Sequence, residues 1–262
     1  MKAWANRVSG RSQGEHTEDT ARRFAVGREE QDRWALRSHQ SAVAGQDIGF
    51  FDDLVTPFGG VERDALPRRD TSLERLAALR PVFDSAAGSI TAGNASPVTD
   101  GAAAIWIGDA EGLKRLGAPA AVKIIDWEIA AIDFRLDEGM LMAPGRAIPR
   151  LLARHRLRFA DIALWEIHEA FAAQVLANIK AASDPAYRRE RAGVDADLGE
   201  FPWERVNPHG GSLALGHPFA ATGARILSQA AKELTAMAPG AKAIVSVCAD
   251  GGQGTVALLE RV

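Results

Sequence analysis

An α/β layered architecture is the expectation for these 262 residues, because β-branched segments alternate with helical ones from residue 89 onward. A second observation sets the closing topology. The last two strand-like segments are separated only by Cys248 to Gln253, too short for a crossover, so they should form an antiparallel hairpin. The first ninety residues show little strand character and read as a helical, loop-rich segment that needs something to pack on.

Taken along the chain, Thr17, Thr20, Ala21 and Phe24 predict a short helix ending near Gly27. Arg28-Glu29-Glu30-Gln31 opens a stronger one to Gly45, with Trp34, Leu36, Ala42 and Val43 at roughly helical spacing. Residues 55–60 and 67–70 read as loop, and Ser72 to Leu79 as one more short helix capped by Thr71 or Ser72. Ser89 to Asn94 predicts a strand running into a turn, Asp100 to Ala104 a small-residue helix, Ile105-Trp106-Ile107 a strand, and Glu111 to Leu116 a helix. Val122 to Ile132 reads as a long strand, and Pro144 to His155 as a helix with Pro149 near its first turn. Ile162 to Ile167 is a buried strand feeding a helix from Glu169 to Ala182. Ser183 to Trp203 is polar and reads as a loop insertion. A glycine-rich turn, a helix from Ala221 to Leu234 and strands Ala243 to Val247 and Gly254 to Leu259 complete the chain. The main boundary is placed near residue 120.

Composition narrows the function classes. A formal net charge of -3 and a pI near 6.1 favour neither nucleic acid nor an anionic membrane as a general partner. A single cysteine excludes an internal disulfide framework, and no cluster has zinc-ligand spacing. There is no apolar run long enough to span a bilayer and no secretory h-region after Met1, so a soluble, cytoplasmic chain is expected.

The most informative run is 206–218, which ends in Gly216-His217-Pro218. Its glycines let a backbone pass close to a ligand, and Pro218 restrains His217. That suits a general base or an oxyanion donor, and it equally fits a tight turn with a satisfied histidine. His168 sits where a strand meets its helix, a place where ligands collect in α/β sheets, although a solvated histidine there is ordinary. Glu169 beside it reads as favouring the helix dipole. Cys248 ends a strand before Asp250-Gly251-Gly252. A lone cysteine is commonly a small core residue, but the glycines after it allow close backbone approach and N–H groups for an oxyanion. His16, His39 and His155 read as surface residues, and Arg154-His155-Arg156-Leu157-Arg158 as a solvated basic run at a helix end.

Together these pieces resemble thiolase. Thr91-Ala92-Gly93-Asn94-Ala95-Ser96 followed by Asp100-Gly101-Ala102-Ala103-Ala104 is similar to a stretch of that family. His168-Glu169-Ala170-Phe171, Gly216-His217-Pro218 and Cys248-x-x-Gly251-Gly252 then follow in the family's order. Residues 13–18 and 36–40 resemble its loop domain, so the likeness covers nearly the whole chain. It implies a thiolase-like layered fold: a helical loop domain over 1–88, a remnant of the N-terminal domain over 89–119, and a C-terminal domain with a mixed sheet over 120–262. Most thiolases have Asn where this chain has His168. The His form, the insertion and the sequence after Gly216 are similar to the thiolase subunit of fatty-acid β-oxidation complexes.

That resemblance implies thiolytic cleavage of a long- or medium-chain 3-ketoacyl-CoA. CoA serves as substrate and no cofactor is needed. The chain would form a homodimer or join a hydratase/dehydrogenase subunit. By the same resemblance His217 activates the nucleophile, His168 assists the oxyanion hole, and Cys248 moves the proton at the α-carbon of acetyl-CoA. Ala92 and Ser96 line the pantetheine path and Phe171 the acyl side, with Gly251 and Gly252 against the substrate. The family's acyl-accepting cysteine has no counterpart, since the one cysteine here matches the other position. The expectation is therefore a chain inactive alone, or completed by an N-terminal half on another chain. The alternative is a non-catalytic CoA-binding or dimerising scaffold. Asp250 stands where the family has a small residue, and a carboxylate at an oxyanion site opposes catalysis unless it points away.

Overall fold

The computed structural model describes residues 5–117, 122–135 and 139–262. Helix α1 (Gln13–Arg23) starts at a reciprocal cap: the Glu15 N–H donates to Ser12 Oγ at 3.3 Å, and the Ser12 N–H donates to Glu15 Oε2 at 2.7 Å. Helix α2 (Arg28–Asp47) carries Glu29 and Glu30 in its first turn, where the helix dipole favours them, and buries Trp34, Ala35 and Ala42. Short helices α3 (Leu73–Ala77) and α4 (Ala110–Leu116) begin at the side-chain caps Ser72 and Asp109.

Between α3 and α4 the expectation fails. Ser89–Asn94 and Ile105–Ile107 are not strands, and Asp100–Ala104 is not a helix. A strand persists only with a ladder partner, and the sheet among the described residues contains none for them. Trp106 and Ile107 are left 86% and 70% exposed.

That sheet has strands β1 (Val122–Ala131), β2 (Leu164–Ile167), β3 (Lys242–Ala249) and β4 (Gln253–Arg261) in the order β1-β4-β3-β2. It is mixed: β1–β4 and β3–β4 are antiparallel, the latter being the expected hairpin, and β2–β3 is parallel. The parallel pair needs a long crossover, and the chain supplies it with α6 (Ala172–Ser183), α7 (Pro185–Tyr187), α8 (Ser212–Leu215) and α9 (Ala220–Thr235). Between β1 and β2 runs α5 (Ala143–Arg154), close to the expected span, but Pro149 lies in its interior rather than near its first turn.

Side chains alternate across a strand, and here the two faces serve different helices. Leu164, Ala243, Val245 and Leu259 pack with Ile226, Ala230 and Leu234 of α9. Trp165, Ile167, Ile244, Val256 and Leu258 join α5 and α6 in the main core. Helices α1 and α2 close over α6, giving a layered α/β arrangement. The expected boundary at residue 120 lies outside the described residues.

Three surface assignments are corrected. The segment 183–203 is no loose insertion: Leu198 and Phe201 are buried, and Phe201 stacks its edge among Phe159, Trp165 and Trp203. His16 and His39 are buried rather than exposed. His155 and Arg154 reach back to Asp126 at 2.7 Å each, and Arg154 also to Glu128, so the basic run is partly a tie to β1. No helix among the described residues is long and apolar enough to cross a membrane.

Candidate functional site

Two loops leave the same end of the structure and are sewn together by a third segment. The first is His168–Phe171, which follows β2; the His168 N–H still donates to Ser246 O on β3 at 2.8 Å. The second is Gly216–Phe219, between α8 and α9. Residues 94–99 bridge them. The Ser96 N–H donates to Ala170 O at 3.0 Å and the Ala172 N–H to Asn94 O at 2.9 Å, while the His217 N–H donates to Pro97 O at 3.0 Å. Isolated bridges pair Ala95 with Phe171 and Val98 with His217. This chain segment, unable to find a sheet, therefore acts as a strap across the site.

The strap holds the imidazoles of His168 and His217 with ring centroids 4.3 Å apart. His168 is 1% exposed and its Nδ1 lies 2.9 Å from Ser212 Oγ. Nδ1 of His217 lies 2.8 Å from Thr222 Oγ1. Burial pushes His168 well below its ordinary range, helped by His217 and Arg225, and takes His217 down to about 4. Both rings are neutral at pH 7. A neutral imidazole can accept a proton from a thiol or donate an N–H to an oxyanion.

Gly216 is fixed by its surroundings. Its φ is +91°, and a Cβ there would meet Leu66 and Thr99 at 2.9 Å. Phe219 also has a positive φ, 36°, and sets its ring edge-on to His217 at 5.0 Å.

Cys248 lies near the end of β3, beside the strand that delivers His168. It is buried in a cluster with Ile90, Met140, Leu141, Ala170 and Phe171. That apolar setting pushes its thiol up to about 12, so at neutral pH it carries its proton and does not rest as a thiolate. Gly252 (φ +80°) must be glycine because a Cβ would sit 2.5 Å from Ile132 O, whereas Gly251 faces open space. Asp250 is exposed, and its Oδ1 accepts from Asn6 Nδ2 at 3.2 Å. Ala92 is exposed, Ser96 half-buried and Phe171 8% exposed.

Glu169 does not serve a helix dipole, since α6 starts only at Ala172. Its buried carboxylate accepts from Trp34 Nε1 (3.1 Å), Ser38 Oγ (2.7 Å), Asn207 Nδ2 (2.9 Å) and the Leu213 N–H (3.2 Å). One side chain thus ties α2, the 207 turn and α8 to the His168 loop. Asn207 extends the sheet with its amide: the Ile167 N–H donates to Oδ1 at 2.8 Å and Nδ2 donates to Ile167 O at 2.9 Å. Ser212, Thr222, Asn207 and Arg225 were not singled out from sequence. Only their placement inside the glycine-rich run and the helix after it pointed to them.

The layered α/β fold thus brings paired neutral imidazoles and a buried thiol together at its strand ends. Residues 118–261 match the family model for the thiolase C-terminal domain, and residues 2–111 the model for the thiolase N-terminal domain. The chain belongs to the thiolase family. It is 39% identical over 264 residues to 3-ketoacyl-CoA thiolases of Yersinia pestis (strain Pestoides F) and Yersinia pseudotuberculosis (strain YPIII). Those alignments cover 98% of this chain and 60% of each relative, so the chain spans about 60% of their length. Among solved structures it is similar to the Bacillus anthracis acetyl-CoA acetyltransferase, with a TM-score of 0.82 and 33% identity over 99% of this chain and 62% of the other. It is also similar to the dimeric peroxisomal thiolase of Saccharomyces cerevisiae, with a TM-score of 0.79 and 31% identity over 95% and 59% of the respective chains.

Proposed function

We propose that these residues form the base, oxyanion and proton-transfer part of a thiolase that cleaves long- or medium-chain 3-ketoacyl-CoA in cytoplasmic fatty-acid β-oxidation. The observation that supports this best is the strap of residues 94–99, which joins the His168 and His217 loops and sets their rings 4.3 Å apart. In this reading a thiol outside these residues gives its proton to His217 and attacks the 3-keto carbon. The oxyanion so formed receives the N–H of an imidazole. The C2–C3 bond then breaks and its electrons pass to the enolate of acetyl-CoA, which takes a proton at C2 from the Cys248 thiol. CoA next attacks the acyl thioester and frees the nucleophile. Ala92 and Ser96 lie along the pantetheine, Phe171 faces the acyl side, and Gly251 and Gly252 lie against the thioester. The chain works as a homodimer or beside a hydratase/dehydrogenase subunit, and the only cysteine in these 262 residues, Cys248, is not the acyl acceptor.

The test is thiolysis of a 3-ketoacyl-CoA by the folded chain, with a Cys248→Ala control, and then with the N-terminal half of a thiolase supplied. No turnover alone and turnover after addition is the expected result. Turnover by the lone chain that Cys248→Ala abolishes would make Cys248 a sufficient nucleophile and overturn the division of labour. CoA binding without turnover even after addition would favour a scaffold instead.

A further inference from the structure

We propose that Ser212 and Arg225 are positioning residues that set the tautomer of His168, leaving its proton on Nε2. Ser212 is fully buried, and its Oγ lies between two polar groups: Nδ1 of His168 at 2.9 Å and a guanidinium Nη2 of Arg225 at 3.2 Å. A guanidinium can only donate. The Ser212 oxygen therefore accepts from Arg225, and its single hydrogen is available for His168 Nδ1. The opposite arrangement, Nδ1–H donating to Oγ, would use both acceptor positions of that oxygen and leave the hydroxyl hydrogen without a partner between two buried residues. With Nδ1 as acceptor, a neutral His168 carries its proton on Nε2. Burial, with His217 and Arg225 close by, keeps the ring neutral at pH 7.

Arg225 is itself oriented from behind. Its Nη1 donates to Gln229 Oε1 at 3.1 Å, and Glu166, Glu169, Asp64 and Glu233 surround its charge. One helix, α9, thus carries Thr222 against His217 and, three residues on, Arg225 behind the partner of His168. The two imidazoles are ordered from the same element. This inference rests on the thiolase reading only for its consequence, that the Nε2–H of His168 meets an oxyanion.

The experiment reads the tautomer directly in the chain as it stands. Protein labelled with ¹⁵N-histidine is examined at pH 7 by long-range ¹H–¹⁵N correlation, which distinguishes a protonated from an unprotonated ring nitrogen. The His168 signals are those absent from His168→Asn. The expected result is an Nε2–H tautomer in roughly tenfold or greater excess, as one satisfied against one unsatisfied buried hydrogen bond requires. Ser212→Ala should bring the two tautomers to comparable populations, while Arg225→Lys, which keeps a donor, should hold the wild-type pattern better than Arg225→Met. An Nδ1–H tautomer in the wild-type protein overturns the proposal without any variant having to fold. So does a folded Ser212→Ala protein with an unchanged pattern. Turnover after addition of a thiolase N-terminal half is scored separately. An inert protein with Nε2–H on His168 would defeat the thiolase reading alone, and an active one with Nδ1–H would defeat this proposal alone.

Discussion

At the scale of single residues, Glu169 organises the site without touching its reacting atoms. Its carboxylate satisfies four donors from three separate parts of the chain, all in a buried setting. Removing an acceptor of this kind leaves each donor desolvated and unpaired, a heavier loss than that of one exposed contact. Glu169→Ala is expected to lower stability by about 3 kcal/mol or more, read from the urea unfolding midpoint. A loss near that of an ordinary surface substitution would show that the network relaxes onto water. Asp250 presents the converse case. A carboxylate next to the expected oxyanion region looked unfavourable, yet in the structure it is exposed and bonded to Asn6. Its position in sequence carried no information about its direction.

Elements show how buried charge is carried by regular structure. Strand β2 is buried along its length, including Glu166, which accepts from Gln229 of α9 at 3.3 Å. Burial raises the Glu166 carboxyl well above its usual range, and Glu233 opposite raises it further. The sign of the pH effect follows. Between the ordinary carboxyl value and the raised one, the folded protein holds a proton that the unfolded chain has lost. Stability from this group is therefore complete below the ordinary value and is lost as pH rises through the raised one. Glu166→Gln cannot ionise, so its melting temperature relative to wild type should become more favourable between pH 5 and pH 8. A difference that stays flat or moves the other way would show that Glu166 is ionised throughout, with Arg225 as its full counter-charge.

For the whole molecule, the sheet ends at β1 in an edge that no other strand among the described residues pairs with. Strand β1 is ten residues long and pairs on one side with β4, and it exposes Trp127 at 60% and Ile129 at 65%. Long, apolar edge strands promote association. The opposite edge is handled differently, since the 206–207 segment and the Asn207 amide cap β2. Concentration-dependent association is expected in sedimentation velocity, and Trp127→Lys with Ile129→Thr should shift the distribution toward monomer. An unchanged distribution would assign the association to other apolar side chains such as Trp106 and Ile107, which stand exposed on the unpaired segment.

What the sequence determined by itself was local and periodic. Helices α1, α2, α5 and α9 and the closing hairpin were legible because amphipathic spacing, caps and a short turn act within a few residues. The run ending in Gly216-His217-Pro218 was legible as a place of close backbone approach, because that approach demands glycine. Tertiary structure decided the rest. Residues 89–107 have strand-like composition, but a strand requires a partner elsewhere in space, and here the segment became a strap between two histidine loops. His16 and His39 looked like surface residues because burial depends on which helix covers them, not on their neighbours in sequence. Only the folded molecule brings Ser212 and Arg225 behind His168, because Ser212 lies 44 residues away, inside the β2-to-β3 crossover. A hydrogen bond is a matter of a few tenths of an ångström, which no periodicity in one dimension encodes.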